Sequence, residues 1–152
     1  MSIWWSLHLR REAASVPLAR RLLLGTMETA GVDPDVSYDL SVALTEACAN
    51  AVEHGGGGGT GVPGGALSEA YRVTAYLDGE TCRIEVADAG PGFPGSGVPR
   101  EPSDDAEHGR GLRLIEELAD HVQFGNRSGR GGAVVSFDKI LKWRDSPSLL
   151  MA

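Results

Sequence analysis

Glu46 and Asn50 lie four positions apart in the segment TEACANAVEH. On a helix, this spacing puts a carboxylate and an amide side by side, one turn apart. The Asn50 amide oxygen is the kind of ligand that magnesium takes together with phosphate and water oxygens. The Glu46 carboxylate can accept a proton from a hydroxyl group or orient a water molecule. Taken alone, the spacing is more often that of two locally hydrogen-bonded polar residues at a helix boundary.

Asp88 begins a second candidate motif, DAGPGF, which ends at Phe93. It shares strand parity with Cys82, Ile84 and Val86, so its carboxylate is predicted to point towards the core and to need a partner there. Such a carboxylate can accept a hydrogen bond from the exocyclic amine of adenine. Gly90 and Gly92 would turn the backbone and leave room for the ring. The alternative is an ordinary strand-ending turn, for which Asp, Gly and Pro are typical.

The third motif is HGRGLRLI, from His108 to Ile115. Its glycines, Gly109 and Gly111, are predicted to lie just ahead of a helix. Free backbone N–H groups at a helix start favour phosphate. The same pattern also fits a flexible loop that runs into an ordinary helix.

Apolar periodicity predicts the elements that position these residues. Strands are predicted at 3–9, 71–77 and 81–88, and a second hairpin spans 122–139 with its turn at 128–132. Helices are predicted at 15–30, capped by Ser15 and stopped by Gly31, at 34–54, capped by Asp33, and at 110–121. Residues 93–108 are predicted to form a loop. Because hairpins dominate this order, we expect an α+β two-layer sandwich with a mostly antiparallel sheet and its helices on one face.

The composition limits the possible classes of protein. A chain of 152 residues suits one domain, predicted at 1–142, followed by a short, proline-broken and frayed tail at 143–152. No apolar run approaches the roughly 20 residues of a membrane span, and the N-terminus lacks the features of an export signal. A net charge of −7 argues against direct nucleic-acid binding. Cys48 and Cys82 fit reduced core positions in a cytoplasmic protein.

The combination of the three motifs in this order is much rarer in protein sequences than any one of the motifs. The sequences EACANAVEHG, DAGPGF and GRGLRLI resemble the ATP-binding boxes of the GHKL fold, which gyrase, Hsp90, histidine kinases and MutL share. The small size of the chain, the short loop between the last two boxes and the residues of the first box are similar to those of the anti-sigma factor serine/threonine kinases of bacteria. The resemblance extends over about residues 5 to 140.

The resemblance implies a site for ATP and magnesium. Asn50 matches the magnesium ligand, and Glu46 matches the general base of the same helix. Asp88 matches the aspartate that recognises adenine. The segment 93–108 matches a mobile lid. The remaining cofactor-binding positions that we assign are Glu53, His54, Gly90, Gly92, Phe93, Gly109, Arg110, Gly111 and Leu112.

Three positions need separate comment. Arg110 can reach a phosphate by its place between the glycines, but an exposed lid arginine is an equal alternative. His54 ends the first box, where a cation suits the helix dipole, and has no second histidine at metal-ligand spacing. Many relatives carry a Gly-Thr pair in the final hairpin, where this chain has Gly132-Ala133 and lacks the hydroxyl.

The glycine run Gly55–Gly59 follows the first box. Five consecutive glycines lose too much chain entropy to form a pre-organised phosphate cradle. We therefore predict a flexible connector that borders the site.

The resemblance implies an ATP-dependent serine/threonine kinase that phosphorylates an antagonist (anti-anti-sigma, STAS-type) protein and regulates a sigma factor. Members of this family are often homodimers. The alternative is a non-catalytic ATP-binding module that signals by partner exchange. A fragment of a sensor histidine kinase is a weaker third hypothesis, because no dimerisation helix with a phosphoacceptor histidine precedes the first strand.

Overall fold

The computed structural model describes residues 2–54, 70–88, 106–126 and 132–144. Within them, five strands form one antiparallel sheet in the order β1-β2-β3-β5-β4. The strands are β1 (Ile3–Arg10), β2 (Ala70–Leu77), β3 (Thr81–Asp88), β4 (His121–Asn126) and β5 (Ala133–Ile140). The helices are α1 (Val16–Ala30), α2 (Pro34–His54) and α3 (Ala106–Leu118), and a short 3-10 helix, Ala13–Ser15, precedes α1. The predicted α+β sandwich is confirmed.

Successive side chains along each strand point to opposite faces of the sheet. In β3, the side chains of Cys82, Ile84 and Val86 are buried on the face that the helices cover. Asp88 continues this face and is 6% exposed, as its parity predicts. In the β2–β3 ladder, Tyr71 lies directly opposite Asp88. The other sheet face carries exposed aromatic side chains, among them Trp4 and Tyr76, which pair across β1 and β2.

Helix α2 is the centre of the helical layer. Its apolar stripe is buried, as the 3.6-residue period predicts, and consists of Val36, Leu40, Ala43, Leu44, Ala47 and Ala51. Asp33 caps the helix as predicted, because its Oδ1 accepts a hydrogen bond from the backbone N–H of Asp35 at 2.8 Å. Glu46 and Asn50 are half-buried at the edge of the stripe. In the described part of the chain, no helix is long and apolar enough to cross a bilayer.

The β2–β3 hairpin turns at Asp78 and Gly79, between the two predicted strands, and a side chain closes the turn. Oδ1 of Asp78 accepts hydrogen bonds from the backbone N–H groups of Glu80 at 2.7 Å and Thr81 at 2.8 Å. Gly79 is not left-handed. The turn therefore depends on the carboxylate and not on the conformational freedom of glycine.

Helix α1 differs from the prediction at its start. Ser15 makes no capping hydrogen bond with its side chain. Its hydroxyl instead donates to the backbone oxygen of Glu12, at 2.7 Å, and contacts the Tyr71 hydroxyl. The predicted stop is confirmed, because Gly31 is left-handed with φ of 86°, a conformation that glycine adopts without strain.

The first residues of the predicted tail are paired with the body of the domain. Trp143 forms a β-bridge with Val32, and the backbone N–H of Arg144 donates to the oxygen of Gly31 at 2.7 Å. The prediction of a frayed tail from Trp143 is therefore wrong for these two residues. The rest of that tail, residues 145–152, lies outside the described residues.

Candidate functional site

Asp88 is the buried acidic residue of the candidate site. Its Oδ1 accepts a hydrogen bond from the backbone N–H of Ala133, at 3.1 Å. Ala133 begins β5, the strand that pairs with β3. The carboxylate is thus fixed at the end of two central strands. A buried carboxylate was predicted to need a partner, and the main-chain amide of Ala133 is one.

The Gly132-Ala133 pair gives the aspartate this contact. Gly132 has φ of 105°, which strains any residue with a Cβ atom, so glycine suits this position. The missing threonine hydroxyl removes one possible contact, but the amide of Ala133 still holds Asp88. Sequence reasoning missed this amide because a backbone contact across 45 positions leaves no residue signature.

Glu46 and Asn50 occupy adjacent turns of α2, as predicted, and both are half-buried. The Glu46 carboxylate lies against α3, because a Cβ atom added at Gly111 would stand 3.1 Å from its Oε2. This distance is closer than ordinary van der Waals contact, so the absence of a side chain at Gly111 lets the carboxylate approach the helix. The structure therefore brings together the first and third sequence motifs.

Helix α3 begins earlier than predicted. It starts at Ala106, so Gly109 and Gly111 lie within its first two turns and not ahead of it. Within a helix, only the first four N–H groups lack an intrahelical acceptor. Gly109 is the fourth residue of α3 and Gly111 the sixth, so the prediction that both glycines lie ahead of the helix is wrong. Asp105, directly before Ala106, is a residue type that favours a helix start and is the signal that could have found it.

Other predicted positions are only partly described. Leu112 is half-buried against the core, and Glu53 is exposed near the end of α2. His54 and Arg110 lie in helices, but their side chains are outside the described part. Gly90, Gly92, Phe93 and the glycine run at 55–59 also lie outside the described residues, as does most of the predicted lid.

Magnesium would need ligands beyond those that the described side chains provide. Residues 2–54, 70–88, 106–126 and 132–144 contain no cluster of three or more His, Cys, Asp or Glu side chains that could hold a metal ion. Magnesium commonly takes one or two protein oxygens and completes its shell with phosphates and water. The half-buried amide of Asn50 beside Glu46 fits this arrangement.

A large groove lies away from these residues. Its volume is about 750 Å³, and it runs between α1 and α2, where Leu24, Tyr38 and Val42 are among its lining residues. None of the predicted site residues that the structure describes lines it. We therefore assign the candidate site by the convergence of the three motifs and not by the size of this groove.

Comparison with known proteins identifies the family. Residues 9–139 match the model of the histidine kinase-like ATPase domain. The chain belongs to this family. It is 31% identical to serine-protein kinase RsbW of Bacillus subtilis over 120 residues, 75% of this chain and 72% of that protein. It is also 31% identical to serine-protein kinase RsbW of Bacillus velezensis over 124 residues, 78% of this chain and 75% of that protein.

Two solved structures support the fold of this family member. The RsbU and RsbW domains of Rv1364c from Mycobacterium tuberculosis match with a TM-score of 0.61 and 20% identity, over 92% of this chain. This chain spans only 34% of the length of that chain. The SiaB-SiaC complex from Pseudomonas aeruginosa matches with a TM-score of 0.58 and 12% identity, over 90% of this chain and 88% of that one. The resemblance to anti-sigma factor kinases, drawn from the three boxes, is confirmed.

Proposed function

We propose that this chain is an ATP-dependent anti-sigma factor serine/threonine kinase. In this proposal, it phosphorylates an antagonist protein and thereby regulates a sigma factor. The observation that carries it is the contact between Glu46 and Gly111, because a candidate general base there meets the helix of the proposed phosphate box. The 31% identity to serine-protein kinase RsbW supports kinase chemistry over ATP binding without phosphoryl transfer.

The two ends of the site would bind different parts of ATP. At the sheet end, the buried Asp88 carboxylate would accept from the adenine amine while it keeps the Ala133 amide. At the helix end, Asn50 would hold magnesium through its amide oxygen. Magnesium, when bound, would neutralise phosphate charge during transfer. Gly109, Arg110, Gly111 and Leu112 would border the phosphates, and Gly90, Gly92 and Phe93 the adenine.

Glu46 would act on the protein substrate. Its carboxylate would take the proton of a serine or threonine hydroxyl on the antagonist as the hydroxyl oxygen bonds to the γ-phosphorus. The bond between that phosphorus and the bridging oxygen of ADP would break in the same in-line displacement, and ADP would leave. Because Glu46 is half-buried at the helix edge, its carboxylate can face both α3 and an approaching partner.

The proposed partners are a sigma factor and a STAS-type anti-anti-sigma protein. A structural relative of this chain was solved as the SiaB-SiaC complex, which supports a protein partner for this fold. We also propose that the protein is cytoplasmic, that residues 1–142 form one domain followed by a tail at 143–152, and that the domain can form a homodimer. The net charge of −7 favours protein partners over direct nucleic-acid contact.

One observation keeps a second candidate function open. Ala133 lacks the hydroxyl that many relatives place beside the adenine-binding aspartate. A site with weaker adenine contacts could serve a non-catalytic module, which binds ATP and exchanges partners without phosphoryl transfer. The Glu46 carboxylate against Gly111 favours the kinase, because a binding module needs no base there.

Transfer of labelled phosphate separates the two functions. The protein is incubated with γ-labelled ATP, magnesium and candidate antagonist proteins, as wild type, Glu46→Ala and Glu117→Ala. Glu117 is an exposed carboxylate on α3 and serves as the matched control. We expect label on a serine or threonine of the antagonist with wild type and Glu117→Ala, and a loss of about 100-fold or more with Glu46→Ala. ATP binding without transfer to any antagonist would favour the binding module.

A further inference from the structure

Lys139 contacts both helices of the Glu46–Gly111 contact. Its Nζ donates a hydrogen bond to the backbone oxygen of Leu118 at 2.7 Å and forms an ion pair with Oδ2 of Asp39 at 3.7 Å. Leu118 is the last residue of α3, and Asp39 lies on α2. Lys139 itself is on β5, and its side chain is only 17% exposed. One ammonium group therefore joins α2, α3 and the sheet.

The C-terminus of α3 receives its cation from another element. The last four carbonyl groups of a helix lack intrahelical donors, and the helix dipole places partial negative charge there. The last turn of α3 has the sequence IEEL, so it adds the acidic side chains of Glu116 and Glu117 to this end. The ammonium group of Lys139 supplies positive charge at this point together with a charge-assisted hydrogen bond.

The spacing of the contacts relates this bridge to the candidate site. Glu46 follows Asp39 by seven positions on α2. Leu118 follows Gly111 by seven positions on α3. Seven residues are about two helical turns, or about 10.5 Å, so each pair lies on one face of its helix. The Lys139 bridge joins the two faces at one end, and the Glu46–Gly111 contact joins them at the other. The two helices therefore run antiparallel, with two contacts at matching intervals.

We propose that Lys139 is a positioning residue that sets the axial position of α3 on α2, and with it the gap at Gly111 that admits the Glu46 carboxylate. This inference rests on the proposed kinase function, in which Glu46 is the general base. Apolar packing of α3 against the core resists separation but is non-directional. A hydrogen bond has a narrow range of length and angle, so the bridge favours one axial position of α3.

The proposal makes the transfer step sensitive to a residue two turns away. The Glu46 carboxylate fits against α3 because Gly111 has no side chain. If α3 moves along α2, the bare backbone of Gly111 no longer faces Glu46, and the carboxylate must move. A Cβ atom added at Gly111 would displace the same carboxylate. Loss of the bridge and Gly111→Ala therefore act on one contact and on one step of the reaction.

The first test is Lys139→Met, which removes the ammonium group and keeps an unbranched side chain. Lys142→Met is the matched control, because Lys142 is an exposed lysine three positions further along the chain. Transfer of labelled phosphate to the antagonist is measured at saturating ATP and antagonist. We expect Lys139→Met to lose about threefold to tenfold in rate and Lys142→Met to match the wild type. Asp39→Asn keeps the bond to Leu118, so its loss should be smaller than that of Lys139→Met.

A double-variant cycle distinguishes positioning from a general loss of stability. The rates of Lys139→Met, Gly111→Ala and the double variant are compared well below the melting temperature of each protein. We expect the double variant to lose no more than the larger single loss, because either change already displaces Glu46. Losses that multiply would overturn the positioning role, as would wild-type rates in folded Lys139→Met. If Lys139→Met does not fold, the same cycle is made with Asp39→Asn, whose side chain is 36% exposed.

The position of α3 is also measurable without activity. Spin labels on Asp35→Cys and Glu117→Cys, both at exposed positions, report the distance between α2 and α3 by pulsed EPR. We expect Lys139→Met to shift or broaden this distance distribution and Lys142→Met to leave it unchanged. An unchanged distribution in Lys139→Met would overturn the inference. If the wild type transfers no phosphate while the distribution shifts as expected, the proposed function fails and the placement of α3 by Lys139 stands.

Discussion

Asp88 and Glu46 lie at the two ends of the candidate site, in different surroundings. Asp88 is 6% exposed and is held by the Ala133 amide between two central strands. Glu46 is half-buried on a helix edge, and its described neighbour is the bare backbone of Gly111. The sheet end is thus fixed by a directional bond in the core, whereas the helix end depends on how α2 and α3 pack. We expect substitutions at the sheet end to act on nucleotide affinity and substitutions at the helix end to act on magnesium and phosphoryl transfer.

The largest effect that distinguishes the ends is expected for Asn50→Ala. Loss of the proposed magnesium ligand should lower the affinity for ATP by about tenfold or more in the presence of magnesium. Without magnesium, the affinity should change little. Asn50→Asp, which retains an oxygen ligand, should fall between the wild type and Asn50→Ala. Titration with ATP at several magnesium concentrations measures these affinities, and an equal loss with and without magnesium would contradict the assignment.

A smaller effect is expected for Gly111→Ala. The added methyl group would meet the Glu46 carboxylate at 3.1 Å, so the carboxylate must move by a few tenths of an ångström. Because a displacement of about 1 Å can cost 100-fold in rate, we expect a loss of phosphoryl transfer of about threefold to tenfold. The helix itself should not weaken, since alanine is favoured over glycine by about 1 kcal/mol in helices.

Gly25→Ala provides the control for this prediction. Gly25 lies inside α1, and a Cβ atom there would meet nothing within 4 Å. This variant should gain up to about 1 kcal/mol in the free energy of unfolding and keep the transfer rate of the wild type. Equal rates for Gly111→Ala and Gly25→Ala would show that the contact with Glu46 has no role in transfer.

The sequence predicts a feature well when the residues that form it are close together along the chain. The strands and the α2 stripe follow local periodicity, so Ile84, Val86 and Leu44 are buried as predicted. The place of Glu46 and Asn50 on one helix also follows from local spacing. These features need only neighbours in sequence.

Contacts between distant segments could not be predicted in the same way. Ser15 has the residue type of a helix cap, but its hydroxyl pairs with Tyr71, 56 positions away. The bond from Ala133 to Asp88 uses a backbone amide, which every residue except proline carries. The start of α3 at Ala106 was missed because a segment with two glycines is typical of a loop. Packing of bare backbone against Glu46 gives one of these glycines a place inside the helix.

The smallest effect at neutral pH concerns the two buried thiols, one in the helical layer and one in the sheet. Burial raises the pKa of Cys48 on α2 and of Cys82 on β3 from 9.0 to about 12. Below pH 9, both thiols keep their protons in the folded and unfolded states, so they do not change the free energy of unfolding. Between pH 9 and 12, the unfolded chain loses these protons first, and each thiol should lower the free energy of unfolding by up to about 1.4 kcal/mol per pH unit.

Urea denaturation from pH 8 to pH 11 measures this slope. Cys48→Ala and Cys82→Ala should each reduce it by a similar amount, because both thiols are fully buried. A reduction for only one variant would show that the layer carrying the other thiol opens to solvent without global unfolding. Such a result would show that the helical layer and the sheet differ in local stability.

The central claim is that Asp88 and the α2 residues bind the two ends of one nucleotide, and titration of Asp88→Asn with ATP–magnesium tests it most directly. The substitution keeps the size of the side chain and an oxygen for the Ala133 amide, but replaces the carboxylate that would accept from adenine. Asp35→Asn, at an exposed position in the first turn of α2, is the control. We predict that Asp88→Asn loses ATP affinity by about tenfold or more while Asp35→Asn binds like the wild type. Unchanged affinity in a folded Asp88→Asn protein would contradict the account.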